Sequence, residues 1–411
     1  MHSHTNSIEL TRERMHRVFT PNQVLGRTRS IGCVAVEITQ RCNLDCTLCY
    51  LSESAEDVAD IPIEIIYQRL DEIREQYGPG TNVQITGGDP TLRKHTELVE
   101  IVAYASSLGL LPALFTNGIA ASRKLLKNLA SVGLREVALH VDTTQERDGY
   151  DTEEDLHQIR LEYIERARGL GINVLFNTTV HKGNFHEVPS LVQFFVSQTD
   201  VVSFASFQLQ ADTGRGVLNK RDDVINIENA RNRIHKGLGQ ELVWDAAQIG
   251  HPKCHSYTPN FVVNNKLYSV MKDKNLMAQF LHDFRSVHTV ERLPWHQLAG
   301  RCLKVGLKKP VWFARFFGFI FEHLWDAKTD LLKAGFKVQR ISFFIHNFMD
   351  ADNLDQERVD ACSFMVATNE GPVSMCAHNA RRDEYILQPI TFHGLNGKTS
   401  TYEPIAEKLR A

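Results

Sequence analysis

The sequence is short of the features that would direct it to nucleic acid or through a membrane. Its 46 Lys and Arg are outnumbered by 49 Asp and Glu, a formal net charge of -3, so no basic field exists to attract a phosphate backbone, and no nucleic acid partner is expected. No segment of the 411 residues reaches the ~18 consecutive apolar residues of a membrane span. The opening stretch, MHSHTNSIELTRERMHRVFT, has no apolar core of the kind a signal peptide needs, which sets a cytoplasmic expectation. Low-complexity segments are missing too. What remains is a globular composition, 43% hydrophobic and 23% charged, in a chain long enough for one large domain with a smaller one appended.

Cysteine is present at eight positions, and in a reducing compartment these read as ligands, nucleophiles or core residues rather than disulfides. Cys33, inside the strand-like run IGCVAVEI, reads as a core thiol. Cys42, Cys46 and Cys49 fall together in ITQRCNLDCTLCY with the spacing C-x3-C-x2-C, and no fourth thiol follows within the loop. Three thiols so placed suit a zinc site lacking a ligand, a redox-active set, or a 4Fe-4S cluster whose fourth iron is left for an exogenous ligand.

Beyond that loop, apolar runs alternate with amphipathic stretches: residues 33–39, 82–86, 111–116, 135–142, 172–180 and 200–209 read as strands, and each of the first five is followed by a helical pattern. Glycines at 78, 109, 133 and 171 close the helices. Repeated βα units joined in the right-handed sense predict an α/β fold with a parallel sheet, curled into a partial (β/α)6 barrel. The expected division is an N-terminal extension over 1–30, the barrel core over 31–216 and a smaller α+β C-terminal domain over 217–411. Ligands gather at the carboxyl ends of parallel strands. The cysteine loop, TGGDP (86–90), TNG (116–118), Asp142, Asn177 and TGRG (213–216) all fall at such ends, so one shared mouth is expected.

The cysteine loop after the first strand, with Gly-Gly after the second and Asn near the end of the fifth, resembles the signature of the radical S-adenosylmethionine (radical SAM) superfamily. The resemblance implies a 4Fe-4S cluster on Cys42, Cys46 and Cys49 whose open iron binds SAM, a flavodoxin- or ferredoxin-type electron donor, and hydrogen abstraction by a 5'-deoxyadenosyl radical. It implies that Gly87 and Gly88 let backbone carbonyls approach SAM, with Asp89 standing where the superfamily usually has Glu, and Leu48 where it usually has an aromatic against the adenine. Asp142, Asn177 and Arg215 match the ribose hydroxyls or the methionyl carboxylate by chemistry. Asn117 joins them as a cofactor contact, although TNG also serves turn geometry.

In the second half, Cys254 opens a hairpin expected about Asn264 and Asn265, while Cys362 and Cys376 bracket another turning at 369–371. These resemble the SPASM and twitch auxiliary-cluster tails of radical SAM enzymes. With Cys302 they would fill a second 4Fe-4S cluster, zinc being the competitor for the same thiols. The tail and the barrel motifs HVDTT and FQLQADTGRG are similar to the group containing archaeal tetraether lipid synthases.

Residues 310–336 carry a narrow polar stripe, Arg315, Glu322, Asp326 and Lys333, on an otherwise aromatic helix that includes Trp312. Such a helix could be buried between barrel and tail, line an acyl-chain tunnel, or lie at a membrane interface. The leading expectation is an apolar, lipid-type substrate joined by C-C bond formation or alkyl transfer. The alternatives are modification or methylation of a peptide or small heterocycle and, from another class, a non-catalytic Fe-S or zinc redox sensor.

Overall fold

The computed structural model describes residues 31–216, 221–246, 250–270, 272–283, 295–394 and 397–405; the expected N-terminal extension lies outside them. Strand β1 (Cys33–Thr39) is buried at all seven positions, as a parallel strand covered on both sides requires. Helix α1 (Ile63–Tyr77) turns Ile65, Ile66, Leu70, Ile73 and Tyr77 to the core and ends at Gly78, whose φ of 80° suits glycine. The alternation continues through β2 (Asn82–Gly87), α2 (His95–Ser107), β3 (Leu111–Thr116), α3 (Arg123–Ser131), β4 (Glu136–His140), α4 (His157–Ala167), β5 (Asn173–Val180), α5 (Val188–Ser197) and β6 (Val202–Leu209). Ser122 caps α3 by accepting from the Leu125 N–H. All six strands pair in chain order and in parallel. The α/β barrel of six units is therefore present.

The second half adds strands to this same sheet. After α6 (Ile227–Leu238) come the hairpin β7 (His255–Val263) and β8 (Lys266–Ser269), then α7 (Lys274–Asp283), α8 (Trp295–Gly306), α9 (Pro310–Lys333) and β9 (Gln339–Asn347). The β7–β8 turn uses Asn264 and Asn265 at φ 51° and 59°, as a type I′ turn demands. Strand β9 pairs in parallel with β6, and β7 runs antiparallel on its far side. Past α10 (Gln356–Asp360), β10 (Phe364–Thr368) pairs in parallel with β1 and hairpins into β11 (Gly371–Ser374), followed by α11 (Met375–Ala380) and α12 (Arg382–Ile386).

The parallel run is thus eight strands, β10-β1-β2-β3-β4-β5-β6-β9. It curls until its ends meet through side chains. The His346 ring of β9 lies 4.6 Å from Phe364 of β10, and Phe344 lies 5.9 Å from it. A buried ion pair ties the tail to the barrel: Arg382 of α12 donates to Glu37 of β1 at 2.7 Å. Burial works against the Glu37 carboxylate, but the Arg382 charge and a hydrogen bond from Gln40 hold its pKa down to about 2.

Candidate active site

The three thiols of the first loop line a cavity of ≈ 220 Å³ at the carboxyl ends of the strands, shared with Gly87, Gly88, Asp89, Asn117 and Asn177. One mouth does collect them. Leu48 is on the same wall.

Backbone packing around the loop explains its glycines. Strand β1 bulges between Glu37 and Thr39, and the end of β2 closes against it, with the Gly88 N–H on the Thr39 carbonyl at 2.9 Å and the Asp89 N–H on the Arg41 carbonyl at 2.7 Å. A Cβ on Gly87 would sit 2.0 Å from the Thr39 oxygen, and one on Gly88 would sit 2.0 Å from the Arg41 oxygen. The missing side chains thus let strand two pack against the root of the cysteine loop. The Gly87 carbonyl already accepts from the Tyr50 hydroxyl at 2.6 Å.

Asp89 is buried and serves as an organiser of the rim. It caps the turn after β2 through the Thr91 N–H and receives the Thr116 hydroxyl and the Asn117 N–H. Asn117, so held, donates to Asn43 of the cysteine loop at 2.7 Å and points its amide at the Cys42 sulfur, 3.9 Å away.

Asp142 and Arg215 stand behind the wall, outside the cavity lining. Asp142 is fully buried and accepts from the Thr144 and Thr179 N–H groups and from the His140 ring at 2.6 Å. Burial opposes its charge, yet His140 and these donors keep the carboxyl below its ordinary range. Its carboxylate therefore positions His140, which does line the cavity. Burial opposes protonation of His140 as well, but Asp142 raises its pKa above the ordinary value. Arg215 grips the outside of the cysteine loop, pairing with Asp45 and Glu56 and hydrogen-bonding the Cys49 sulfur. Gly214 beside it has φ 61° and packs on the Tyr50 backbone, where a Cβ would come within 2.4 Å. Sequence reasoning missed His140 and Tyr50; each adjoins a motif, but nothing local marks it as facing the cavity.

Burial pushes the Cys42 and Cys46 thiols up, and the charges of neighbouring thiolates and carboxylates add to the effect. Three bare thiolates would be costly here, and a bound cationic cluster would relieve that cost. The donor set and the cavity fit a 4Fe-4S cluster with an open site.

A second thiol group lies at the seam of the barrel. Cys254 before β7, Cys362 before β10 and Cys376 on α11 are near enough to perturb one another electrostatically, and Cys376 opens onto the same cavity as the first group. Arg358, missed by sequence reasoning, donates to the Cys254 sulfur at 3.4 Å. Cys302 is elsewhere: it lies on α8 among Phe280, Val305 and Phe316, because the helical stretch carries it away from the seam. Among the described residues no three Cys, His, Asp or Glu side chains close on a single metal ion.

Residues 36–195 match the model of the radical SAM superfamily. This segment is a radical SAM domain. Over 186 residues the chain is 30% identical to 7,8-dihydro-6-hydroxymethylpterin dimethyltransferase of Methanocaldococcus jannaschii, covering 44% of this chain and 36% of that protein. It is also 30% identical over 169 residues to the PqqA peptide cyclase of Bradyrhizobium diazoefficiens, covering 40% of this chain and 43% of the relative. The chain therefore spans less than half the length of either. Among solved structures, SuiB of Streptococcus suis bound to S-adenosylmethionine aligns with a TM-score of 0.40 at 18% identity, over 50% of this chain and 47% of that one. The radical SAM domain is an enzyme domain, and its superfamily works with a 4Fe-4S cluster and SAM.

A second, larger cavity of ≈ 490 Å³ occupies the barrel interior below the first. The two share Gln84, Phe115, Asn177, Gln208, Phe348 and Met375 where they adjoin. Its walls are aromatic, with His255 stacked on Phe344 at 5.2 Å and Phe204 facing Tyr257 at 6.3 Å. Its polar groups are Asn177, Ser206, Gln208, His255 and His346 among others. Burial drives His255 down to about 4 and His346 to about 3, so both rings are neutral near pH 7. His255 Nδ1 is buried with no hydrogen-bond partner among the described residues. A (β/α) barrel interior is ordinarily packed with Val, Ile and Leu.

Proposed function

We propose that the protein is a radical SAM enzyme that modifies a planar, uncharged aromatic or heteroaromatic group, either a small heterocycle or a peptide side chain, held in the barrel interior. When bound, the 4Fe-4S cluster and SAM supply a 5'-deoxyadenosyl radical that takes a hydrogen atom from an unactivated C-H bond, with one electron drawn from an external donor. Cys42, Cys46 and Cys49 would hold the cluster, and Asn117 and Arg215 would orient the loop against two of its sulfurs. Leu48, Asn177 and His140 would enclose SAM. Gln84, Phe115, Gln208, Phe348 and Met375, which line both cavities, would surround the junction at which SAM meets substrate and exclude water there.

The observation carrying the substrate reading is the lining of the inner cavity. A saturated acyl chain would leave Asn177, Ser206, Gln208 and the His255 Nδ1 desolvated and unpaired, at about 1–3 kcal/mol each. A flat ring with edge donors and acceptors would stack on the aromatic walls and satisfy those groups. The pterin and peptide relatives agree with this in kind. The lipid-chain reading is the competitor.

Cys254, Cys362 and Cys376 are proposed to hold a second 4Fe-4S cluster, with its fourth position taken by a ligand other than Cys302. Wild-type protein should then carry more iron than the ~4 atoms per chain of one cluster, and alanine at all three positions should remove the excess.

The decisive experiment is 5'-deoxyadenosine formation from SAM and reductant, with the Cys42→Ala/Cys46→Ala/Cys49→Ala variant as blank. Stimulation by aqueous extract alone is expected. Stimulation by lipid extract alone would replace the heteroaromatic reading with the acyl-chain one, wild-type turnover in the blank would overturn the assignment of these three cysteines as cluster ligands, and no turnover by wild type would leave the redox-sensor class.

A further inference from the structure

The aromatic helix α9 meets the body of the protein along one face, where Ala327 and Asp330 are buried and Phe316, Phe319, Ile320 and His323 are half-buried. All three of its carboxylates are engaged by the body of the protein: Lys272 donates to Glu322 at 2.6 Å and to Asp326 at 2.7 Å, and Asp330 takes Asn264, Tyr268 and Lys266. The His323 ring contacts the Ser269 carbonyl on the same side. The opposite stripe, at i, i+4, i+7, i+8 and i+15, carries Phe317, Phe321, Leu324, Trp325 and Leu332, each 54–67% exposed. Five large apolar side chains are thus left in water beside a face that is already packed, and a contiguous exposed apolar patch marks an interaction surface.

Charge says what covers it. Residues 295–338 hold eight Lys and Arg against three Asp and Glu, so this segment is strongly positive in a chain whose net charge is -3. Glu322 and Asp326 are paired with Lys272 beside the stripe, and the exposed cations nearest the aromatic side chains include Lys304 and Lys308 ahead of α9 and Lys328, whose ammonium lies 3.4 Å from the Trp325 ring centroid. Aromatic and leucine side chains rimmed by cations fit the headgroup boundary of an anionic bilayer, the rings entering the acyl region and the cations staying at the phosphates. None of the described helices is long and apolar enough to cross a membrane, so the fit is to lying on it.

We infer that α9 is a peripheral membrane-docking helix that seats the enzyme on an anionic lipid surface through Phe317, Phe321, Leu324 and Trp325. The inference does not depend on the reaction proposed above. It is tested by co-sedimentation of the full chain with vesicles of phosphatidylcholine alone and of phosphatidylcholine mixed with phosphatidylglycerol. Binding should be at least ~10-fold tighter to the anionic vesicles and should weaken with salt. Phe317→Asp/Trp325→Asp should lower it more than ~100-fold while leaving the unfolding midpoint unchanged, since both positions are exposed. Lys304→Gln/Lys308→Gln should lower affinity roughly 10- to 30-fold for anionic vesicles only, which keeps the test informative if the aspartate variant fails to fold. A wild-type chain that stays in the supernatant with both vesicles would overturn the inference. So would a concentration-dependent dimer dissolved by Phe317→Asp/Trp325→Asp without any vesicle binding, which would make the stripe an interface between copies.

Discussion

Single residues in this site do their work through backbone contacts as much as through side chains. Gly88 is the sharpest case, because a methyl there would meet the Arg41 carbonyl 2.0 Å away, and that carbonyl belongs to the residue before Cys42. Gly88→Ala should therefore displace the cysteine loop while β1 and β2 remain paired. The expected outcome is a folded protein by circular dichroism that retains under half of the wild-type iron of the first cluster, measured in a Cys254/Cys362/Cys376 alanine background. Asp89 makes the same point with a side chain: legible in the sequence as a cofactor contact, it is committed to Thr91, Thr116 and Asn117. A motif names the residue, and only the neighbours say which of its atoms are left for a ligand.

At the scale of elements, the closure of the barrel depends on strands and helices far apart in the chain. The hairpins about 264–265 and 369–371 were legible because turn residues announce themselves locally. The pairing of β9 with β6 and of β10 with β1 was not, since a buried parallel strand carries no mark of its partner. The Glu37–Arg382 pair locks that closure from 345 residues away. Arg382→Ala would leave a carboxylate buried without compensation, so a loss of about 3–5 kcal/mol is expected from urea unfolding. Glu37→Met/Arg382→Met should recover most of it, because an apolar pair removes the unpaired charge.

For the molecule as a whole, buried neutral histidines set the acid limit of stability. Burial lowers His346 to about 3, with the charges of His255 and Arg358 adding to it, and burial with the Arg160 charge lowers His157 to about 4. The unfolded chain takes up protons at these sites near the ordinary value of 6.5, whereas the folded chain resists until pH falls through the lowered values. Protonation therefore favours unfolding, and stability should be full above pH 6.5 and decline steadily toward pH 4. His346→Phe should flatten that decline in urea midpoints taken across the range. The Asp142–His140 pair acts at both edges: its contribution is lost as pH falls through the lowered Asp142 pKa and as pH rises through the raised His140 pKa.

The sequence by itself determined the radical SAM motif, the six βα units, the shared mouth at the strand ends and the two hairpins. Each follows from local spacing, periodicity or turn chemistry that any stretch of chain carries within itself. Only the tertiary structure decided that Cys302 stands apart from the other three C-terminal cysteines, that Asp142 and Arg215 support the wall of the cavity from behind, and that the barrel holds an aromatic, polar interior. The same holds for α9. Its amphipathic pattern is visible in the sequence, but which stripe meets the protein depended on Asn264, Lys266 and Tyr268, more than sixty residues away, which together hold the buried Asp330 carboxylate.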